Sequence, residues 1–349
     1  MAGRRHILTS LPTSMSVPHF VGQGAVAWAE RPVPEPGSGQ LLIRVKANAL
    51  CGSERGQFFG GSSVTPGHEA AGVVAAAGPD TRTPVGTPGV IFLMDFCGQC
   101  RSCRRGATNQ CRQKRADMGF SHDGGYGAYE LIHESIFFPV GADIPLAEAT
   151  LLLDIMGTGG HALGRGRLVV NDLQSVAVAG AGPIGLGTLA MAKITLGENV
   201  PVLISDTVPY RLHLAERLGG LTVNLKDETL EAGARRHGIG RADLALDTSG
   251  KAAARRVLLD ALDQRGALVC VGHGEGLELQ VSRDLIAPER AVLGSEYFRY
   301  DELPGNLALL RQYRDYLRPI ITHTFPVRDI QRAFELFFGG ETGKVVVTQ

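Results

Sequence analysis

The stretch "SVAVAGAGPIGLG" (175–187) constrains the fold of this chain more than any other. An apolar run reads as a buried strand, and Gly180, Gly182 and Gly185 then form G-x-G-x-x-G at the mouth of a helical segment, "IGLGTLAMAKITLG". In that context the pattern carries meaning: one glycine permits a tight turn, the next lets backbone approach a pyrophosphate, and the third allows close helix–strand packing. Pro183 and Ile184 lie at the helix N-terminus, which faces the anion. Segments alternate onward: strand "VPVLISD", helix "PYRLHLAERLG", strand "RADLALDTSG", helix "KAAARRVLLDALDQRG", strand "ALVCVGHG". This alternation predicts βαβ units and a parallel, doubly wound α/β sheet of the Rossmann type. Asp206 follows Gly185 by 21 residues, where an acid accepts hydrogen bonds from ribose hydroxyls and repels a 2′-phosphate. NAD is therefore expected over NADP. Arg211 is placed either against the adenine or on a solvated helix face. Thr248 and Ser249 end one strand and Val271 and Gly272 another, so they are expected along the cofactor cleft.

The second constraint is "CGQCRSCRRGATNQC", with Cys97, Cys100, Cys103 and Cys111 in a chain of six cysteines. Four thiolates on one irregular loop can close around a tetrahedral Zn²⁺ with no open position, a structural site. Iron–sulfur ligation competes, but nothing else in the chain points to electron transfer. The apolar runs are too short for a membrane span, and the N-terminal "MAGRRHILTSLPTSMSVPHF" lacks the apolar core of a signal peptide. The expected location is the cytoplasm, where thiols stay reduced and clustered cysteines favour metal over disulfides. Lysine plus arginine equals aspartate plus glutamate at 35 each, which offers no electrostatic case for nucleic acid or an anionic membrane. A length of 349 residues suggests about two domains.

Residues 20 to 150 are rich in glycine and proline, with strand-like runs at 41–50, 70–78 and 88–94. The tail holds helices near 302–316 and 328–338 and a last strand, "GKVVVTQ". Cys51 in "ALCGSERG", and His68 and Glu69 in "PGHEAAG", each have an ordinary reading taken singly: a buried thiol, a loop histidine, a surface acid. Their order along the chain does not.

"CGSE", "PGHEAAG", the cysteine loop, "DGGYGAY", "AGAGPIG" and "GKVVV" occur in the order found in zinc-containing medium-chain alcohol dehydrogenases, in the branch that includes sorbitol and threonine dehydrogenases. The chain resembles that family over roughly residues 25 to 349. The resemblance implies a GroES-like β-rich catalytic domain (1–154 and 298–349) with a Rossmann NAD-binding domain (155–297) inserted. It implies two Zn²⁺ per chain, one on the four cysteines and one catalytic on Cys51, His68 and Asp154. Asp154, in "LLLDIMGTGGHAL", takes a place where polyol-type members carry a carboxylate, which leaves zinc a stronger Lewis acid than a thiolate does. Ser53 corresponds to the hydroxyl that takes the alcohol proton, and Glu69 would act next to the metal. The histidine that ends the proton relay in many relatives is Gly56 here, and the arginine some relatives place on pyrophosphate near the C-terminus has only Lys344 to match it.

The activity implied is hydride transfer between a secondary alcohol (a polyol, sugar or cyclitol derivative) and NAD, in a homodimer or homotetramer. The alternatives are reduction of a small aldehyde or ketone, and a non-catalytic, structural or regulatory NAD binder; the complete ligand set speaks against the latter. His161 is placed at the cofactor cleft or in the interior, Cys270 in the core, and Tyr126, Tyr129, Met118 and Phe298 either on the substrate cleft or in packing.

Overall fold

A computed structural model describes residues 11–349; residues 1–10, and with them half of the N-terminal segment discussed above, lie outside the described residues. The chain opens with a hairpin of β1 (Ser14–Gly22) and β2 (Ala25–Pro32). There follow β3 (Gln40–Ala49), β4 (Ala70–Ala77), β5 (Pro88–Ile91), β6 (Met94–Asp95), β7 (Ala116–Asp117), β8 (Tyr129–His133) and β9 (Phe137–Pro139). The run expected as one strand over 88–94 is broken: β5 stops at Ile91 and β6 starts at Met94. Phe92, fully buried, packs edge-on against Phe298 and Tyr300 at the break.

The next six strands are β10 (Val176–Ala179), β11 (Val202–Asp206), β12 (Leu221–Asn224), β13 (Ala242–Asp247), β14 (Leu262–Cys270) and β15 (Ala291–Gly294). They form one parallel sheet in the order β12-β11-β10-β13-β14-β15. Val176 and Val178 enter one core cluster, Ala177 and Ala179 the other, so both faces are covered, as a parallel sheet requires. The strand order reverses between β10 and β13, and the crevice at their C-terminal ends is where such sheets bind ligands. Helix α1 (Pro183–Leu196) crosses from β10 to β11. The helix read over "KAAARRVLLDALDQRG" covers only Ala252–Ala261. From Leu262 the chain is already strand, because the buried Leu262 pairs with Ala242 and Arg265 turns through φ 62°.

The tail supplies helix α2 (Leu303–Gln312), β16 (Ile321–Pro326), helix α3 (Ile330–Gly339) and β17 (Lys344–Thr348). The helix expected over 302–316 is interrupted at Tyr313, whose φ of −113° and ψ of 24° leave the helical region. On α3, Ile330, Ala333, Phe334 and Phe337 recur at helical spacing and are buried against Phe20, Phe58 and Tyr126. Strand β17 returns to the beginning of the chain: Val346, Val347 and Thr348 pair antiparallel with Ala49, Asn48 and Ala47 of β3. The resulting sheet runs β16-β17-β3-β4-β5-β9, with β8 also on β3. The end of β3, at Ala49–Leu50, leads into the site described next. Among the described residues no helix is long and apolar enough to cross a membrane.

Candidate active site and metal centres

Cys51 leaves β3 in extended conformation and caps the short turn Gly52–Glu54, its backbone N–H donating to Glu54 Oε2 (3.1 Å). Glu54 turns inward, is fully buried, and holds His68 Nδ1 at 3.1 Å. Tyr126 Oη donates to the same carboxylate (2.7 Å). With Nδ1 so fixed, His68 Nε2 points to Asp154 Oδ2 (3.8 Å), and Cys51 Sγ lies 3.0 Å from that oxygen. Asp154 opens a buried π-helical turn, Asp154–Thr158, after the irregular backbone of Leu153. Donor atoms of Cys51, His68, Glu69 and Asp154 all fall within 4.8 Å of one another.

The electrostatics of this cluster call for a cation. Glu54, Glu69 and Asp154 are buried, and one lysine faces them: Lys344 Nζ pairs with Glu69 Oε1 and stands 3.9 Å from Asp154 Oδ2. Burial opposes charge on His68, yet hydrogen bonds to Asp154, Cys51 and Glu54 hold its pKa well above the ordinary value. Burial likewise works against the Asp154 carboxylate, but His68 and Lys344 keep it well below the usual range. Burial and the Asp154 charge push the Cys51 thiol up. A thiol, an imidazole and carboxylate oxygens converging on one point match the ligand set of a zinc site. The Glu54–His68 contact is the outer-shell carboxylate that fixes a ligating imidazole.

The second cluster is the cysteine loop. Its sulfurs lie 3.5 Å (Cys100–Cys103), 3.6 Å (Cys97–Cys111), 3.9 Å (Cys100–Cys111) and 4.0 Å (Cys97–Cys103) apart, and all four cysteines are free. Four sulfurs at tetrahedral corners about 2.3 Å from a zinc would stand about 3.8 Å apart. Backbone N–H groups of Gln99 and Cys100 donate to Cys97 Sγ, and those of Cys97 and Gln113 to Cys111 Sγ. Similar backbone bonds bring Cys100 down to about 6. The lobe is docked onto residues 296–300: Asn109 Nδ2 donates to Glu296 O (2.7 Å), and Thr108 Oγ1 accepts from Tyr300 N (2.8 Å).

The glycine turn is built as its spacing requires. Gly180 has φ 94°, and a Cβ on Gly185 would stand 1.8 Å from Gly180 O. Asp206, at the end of β11, accepts from Ala181 N (2.7 Å) through Oδ2 and from Thr207 N (2.7 Å) and Val208 N (3.0 Å) through Oδ1. A carboxylate offers about four acceptor sites, so Oδ2 retains capacity for a ribose hydroxyl. Arg211 places its guanidinium beside the phosphate turn, 3.9 Å from where a Cβ on Gly182 would stand and 3.7 Å from where one on Gly340 would.

A cavity of about 720 Å³ joins the two halves of the site. Cys51, Ser53, His68 and Asp154 line it from one side; from the other come Ile184 of α1 and Thr248, Val271 and Gly272, just past the C-terminal ends of β13 and β14. Gly56 lies on it too, with nothing within 4 Å of where a Cβ would be. Lys344 does not match a pyrophosphate ligand: it is fully buried behind the metal cluster. Tyr126, Tyr129, Met118 and Phe298 are packing residues, buried and off the cavity wall; Leu93, Met94, Phe120 and Tyr297 form that wall instead. Cys270 is half-buried and, with His161, lines an adjoining cavity of about 810 Å³, where His161 Nδ1 meets Glu302 (3.0 Å). Glu54 and Tyr297 were given no role from the sequence, and Lys344 was weighed only against pyrophosphate. Only Glu54 carried a signal, its place three residues after Cys51.

Two family models match: the alcohol dehydrogenase GroES-like domain over residues 37–142 and the zinc-binding dehydrogenase over 183–312. The chain is 32% identical to an L-threonine 3-dehydrogenase of Deinococcus deserti, over 90% of this chain and 93% of the relative. A zinc-binding dehydrogenase of Sinorhizobium meliloti 1021 solved with NADP superposes with a TM-score of 0.83 at 25% identity, covering 97% of this chain and all of that one. A short chain alcohol dehydrogenase of Escherichia coli CFT073 solved with NADH shares the fold, with a TM-score of 0.84 at 21% identity over 97% of this chain and 100% of that one.

Proposed function

Because the chain belongs to the zinc-containing medium-chain alcohol dehydrogenase family, we propose that it oxidises a secondary alcohol, of the polyol, sugar or cyclitol class, with NAD. The observation that carries this reading is one cavity lined by Cys51, His68 and Asp154 on one side and by the crevice of the parallel sheet on the other. The β-rich part (1–154 and 298–349) would hold both metals, and 155–297 the dinucleotide. When bound, zinc supplies Lewis-acid polarisation of the substrate oxygen and NAD supplies the hydride acceptor.

The chain's own groups do the rest. Cys51, His68 and Asp154 hold the metal, Glu54 orients the imidazole, and Lys344 offsets the buried charge of Glu69 and Asp154. Ser53, on the cavity wall, takes the alcohol proton. With open space at Gly56 and no side chain there to receive it, that proton would leave to water or, with a dinucleotide bound, to its ribose. Gly180, Gly182, Pro183, Ile184 and Gly185 cradle the pyrophosphate, with Arg211 beside it; Asp206 holds the adenosine ribose. Cys97, Cys100, Cys103 and Cys111 take the second zinc. The assembly is read as a cytoplasmic homodimer or homotetramer.

The test is metal analysis joined to a substrate panel. Near two zinc per chain is expected, with NADH absorbance appearing from a polyol, amino sugar or cyclitol. L-threonine belongs in the panel, since relatives carry its dehydrogenase's name. One zinc per chain and no turnover on any member would defeat the reading.

A further inference from the structure

Tyr297 is held in a conformation and an environment that both cost free energy. Its φ is +45°, in the left-handed region that bulky side chains rarely adopt. Only 7% of the residue is exposed, and its hydroxyl is buried without a well-formed hydrogen bond. Three other tyrosines packed inside are paired: Tyr126 bonds Glu54, Tyr300 the Phe137 carbonyl (2.6 Å) and Tyr316 the Leu218 carbonyl (2.7 Å). Buried hydroxyls are ordinarily paired, and an orphan calls for a reason.

The reason lies in where Tyr297 is fixed. Its side chain lines the cavity that holds Cys51, His68 and Asp154, and its hydroxyl is near enough to Asp154, Glu69 and Cys51 to feel their charge. The ring is clamped by Phe92 (centroids 5.1 Å apart) and Phe298 (4.3 Å). The backbone is anchored just before it at Glu296 and just after it at Tyr300, both to the cysteine lobe. Phenylalanine would make the same ring contacts without an unpaired oxygen.

We propose that Tyr297 is a specificity-determining residue: its hydroxyl pairs with a second hydroxyl of the substrate, next to the carbinol held at the metal cluster, and so selects vicinal diols over mono-alcohols. This rests on the alcohol-oxidation reading above. A phenol both donates and accepts, so a substrate hydroxyl satisfies it in either sense. An alkyl chain in its place leaves it unpaired, which is how a polar site rejects an analogue lacking the group.

The experiment compares wild type and Tyr297→Phe, zinc-loaded and with NAD, on butane-2,3-diol against butan-2-ol and on cyclohexane-1,2-diol against cyclohexanol. We expect kcat/KM for the diols to fall about 10- to 100-fold in the variant. The mono-alcohols should change less than about twofold, and Tm should not drop, since the variant removes an orphaned buried group. Equal losses on both members of a pair, or no loss on the diol, overturn the proposal. A second measurement needs no variant: the diol should raise the Tm of the wild-type NADH complex more than its mono-alcohol does, and equal shifts overturn the proposal. If the wild-type enzyme turns over no alcohol at all, the alcohol-oxidation reading fails and this one with it; if it turns over both members and Tyr297→Phe spares the ratio, only the role of Tyr297 fails.

Discussion

Asp154 is the residue at which the candidate metal centre converges: its Oδ2 lies 3.0 Å from Cys51 Sγ, 3.8 Å from His68 Nε2 and 3.9 Å from Lys344 Nζ. Removing its carboxylate takes away one of the proposed ligands and leaves Lys344 with Glu69 alone. Asp154→Ala should therefore lower turnover by more than about a hundredfold, since loss of a mere outer-shell partner of a zinc ligand costs up to that much. NADH binding, read by fluorescence, should be nearly unchanged, because Asp154 is remote from the glycine turn in sequence and contacts none of its residues by hydrogen bond. Wild-type turnover in the variant would remove Asp154 from the site. Cys51, His68 and Asp154 could be singled out only through the order of their motifs and the family resemblance, since each taken singly has an ordinary reading. Lys344 could not: its partner Glu69 is 275 residues away, and only the pairing of β17 with β3 brings them together. Tyr126 was ambiguous for a related reason. Strand and turn patterns tell which residues share a face, but not which face a cavity opens upon.

At the scale of elements, the cysteine lobe and the glycine turn are self-contained, and both were readable as spacings. The lobe has little apolar material of its own, so its order should depend on metal. Cys103→Ser should lose close to one zinc equivalent by metal analysis and lower Tm. It should also reduce kcat/KM, because Asn109 and Thr108 no longer hold residues 296–300 against the cavity. Full zinc content in the variant would mean the loop binds no ion. The glycine turn yields a separate outcome. Asp206 braces Ala181 N as well as its own loop, so Asp206→Ala should weaken NAD more than NADP and shift the NAD/NADP ratio of kcat/KM by about tenfold or more. An unchanged ratio would free Asp206 from the ribose. Element boundaries were the harder part. The breaks at Phe92 and Tyr313, and the early start of β14 at Leu262, are set by what those side chains pack on or pair with, not by local propensity.

At the scale of the molecule, the last strand closes the whole arrangement. β17 lies between β16 and β3, so the sheet beneath the metal cluster is complete only when the final residues are in place. Val345, Val346 and Val347 are buried at 0 to 2% exposure, and Lys344 is the cation beneath the acids. Burying a valine side chain stabilises by roughly 1.5–3 kcal/mol. Three of them together approach the whole margin of about 5–15 kcal/mol by which domains are stable. Removing residues 344–349 also uncovers the Ala47–Ala49 end of β3 and leaves Glu69 and Asp154 without their lysine. The parallel sheet β12-β11-β10-β13-β14-β15 takes no strand from the tail. Chain truncated after Gly343 should therefore lose its β-rich part to limited proteolysis and retain no catalytic zinc. A protected fragment containing residues 176–294 should persist and still bind NADH. A truncated chain that resists protease along its full length, and keeps the metal, would show that the β-rich sheet holds without its final strand.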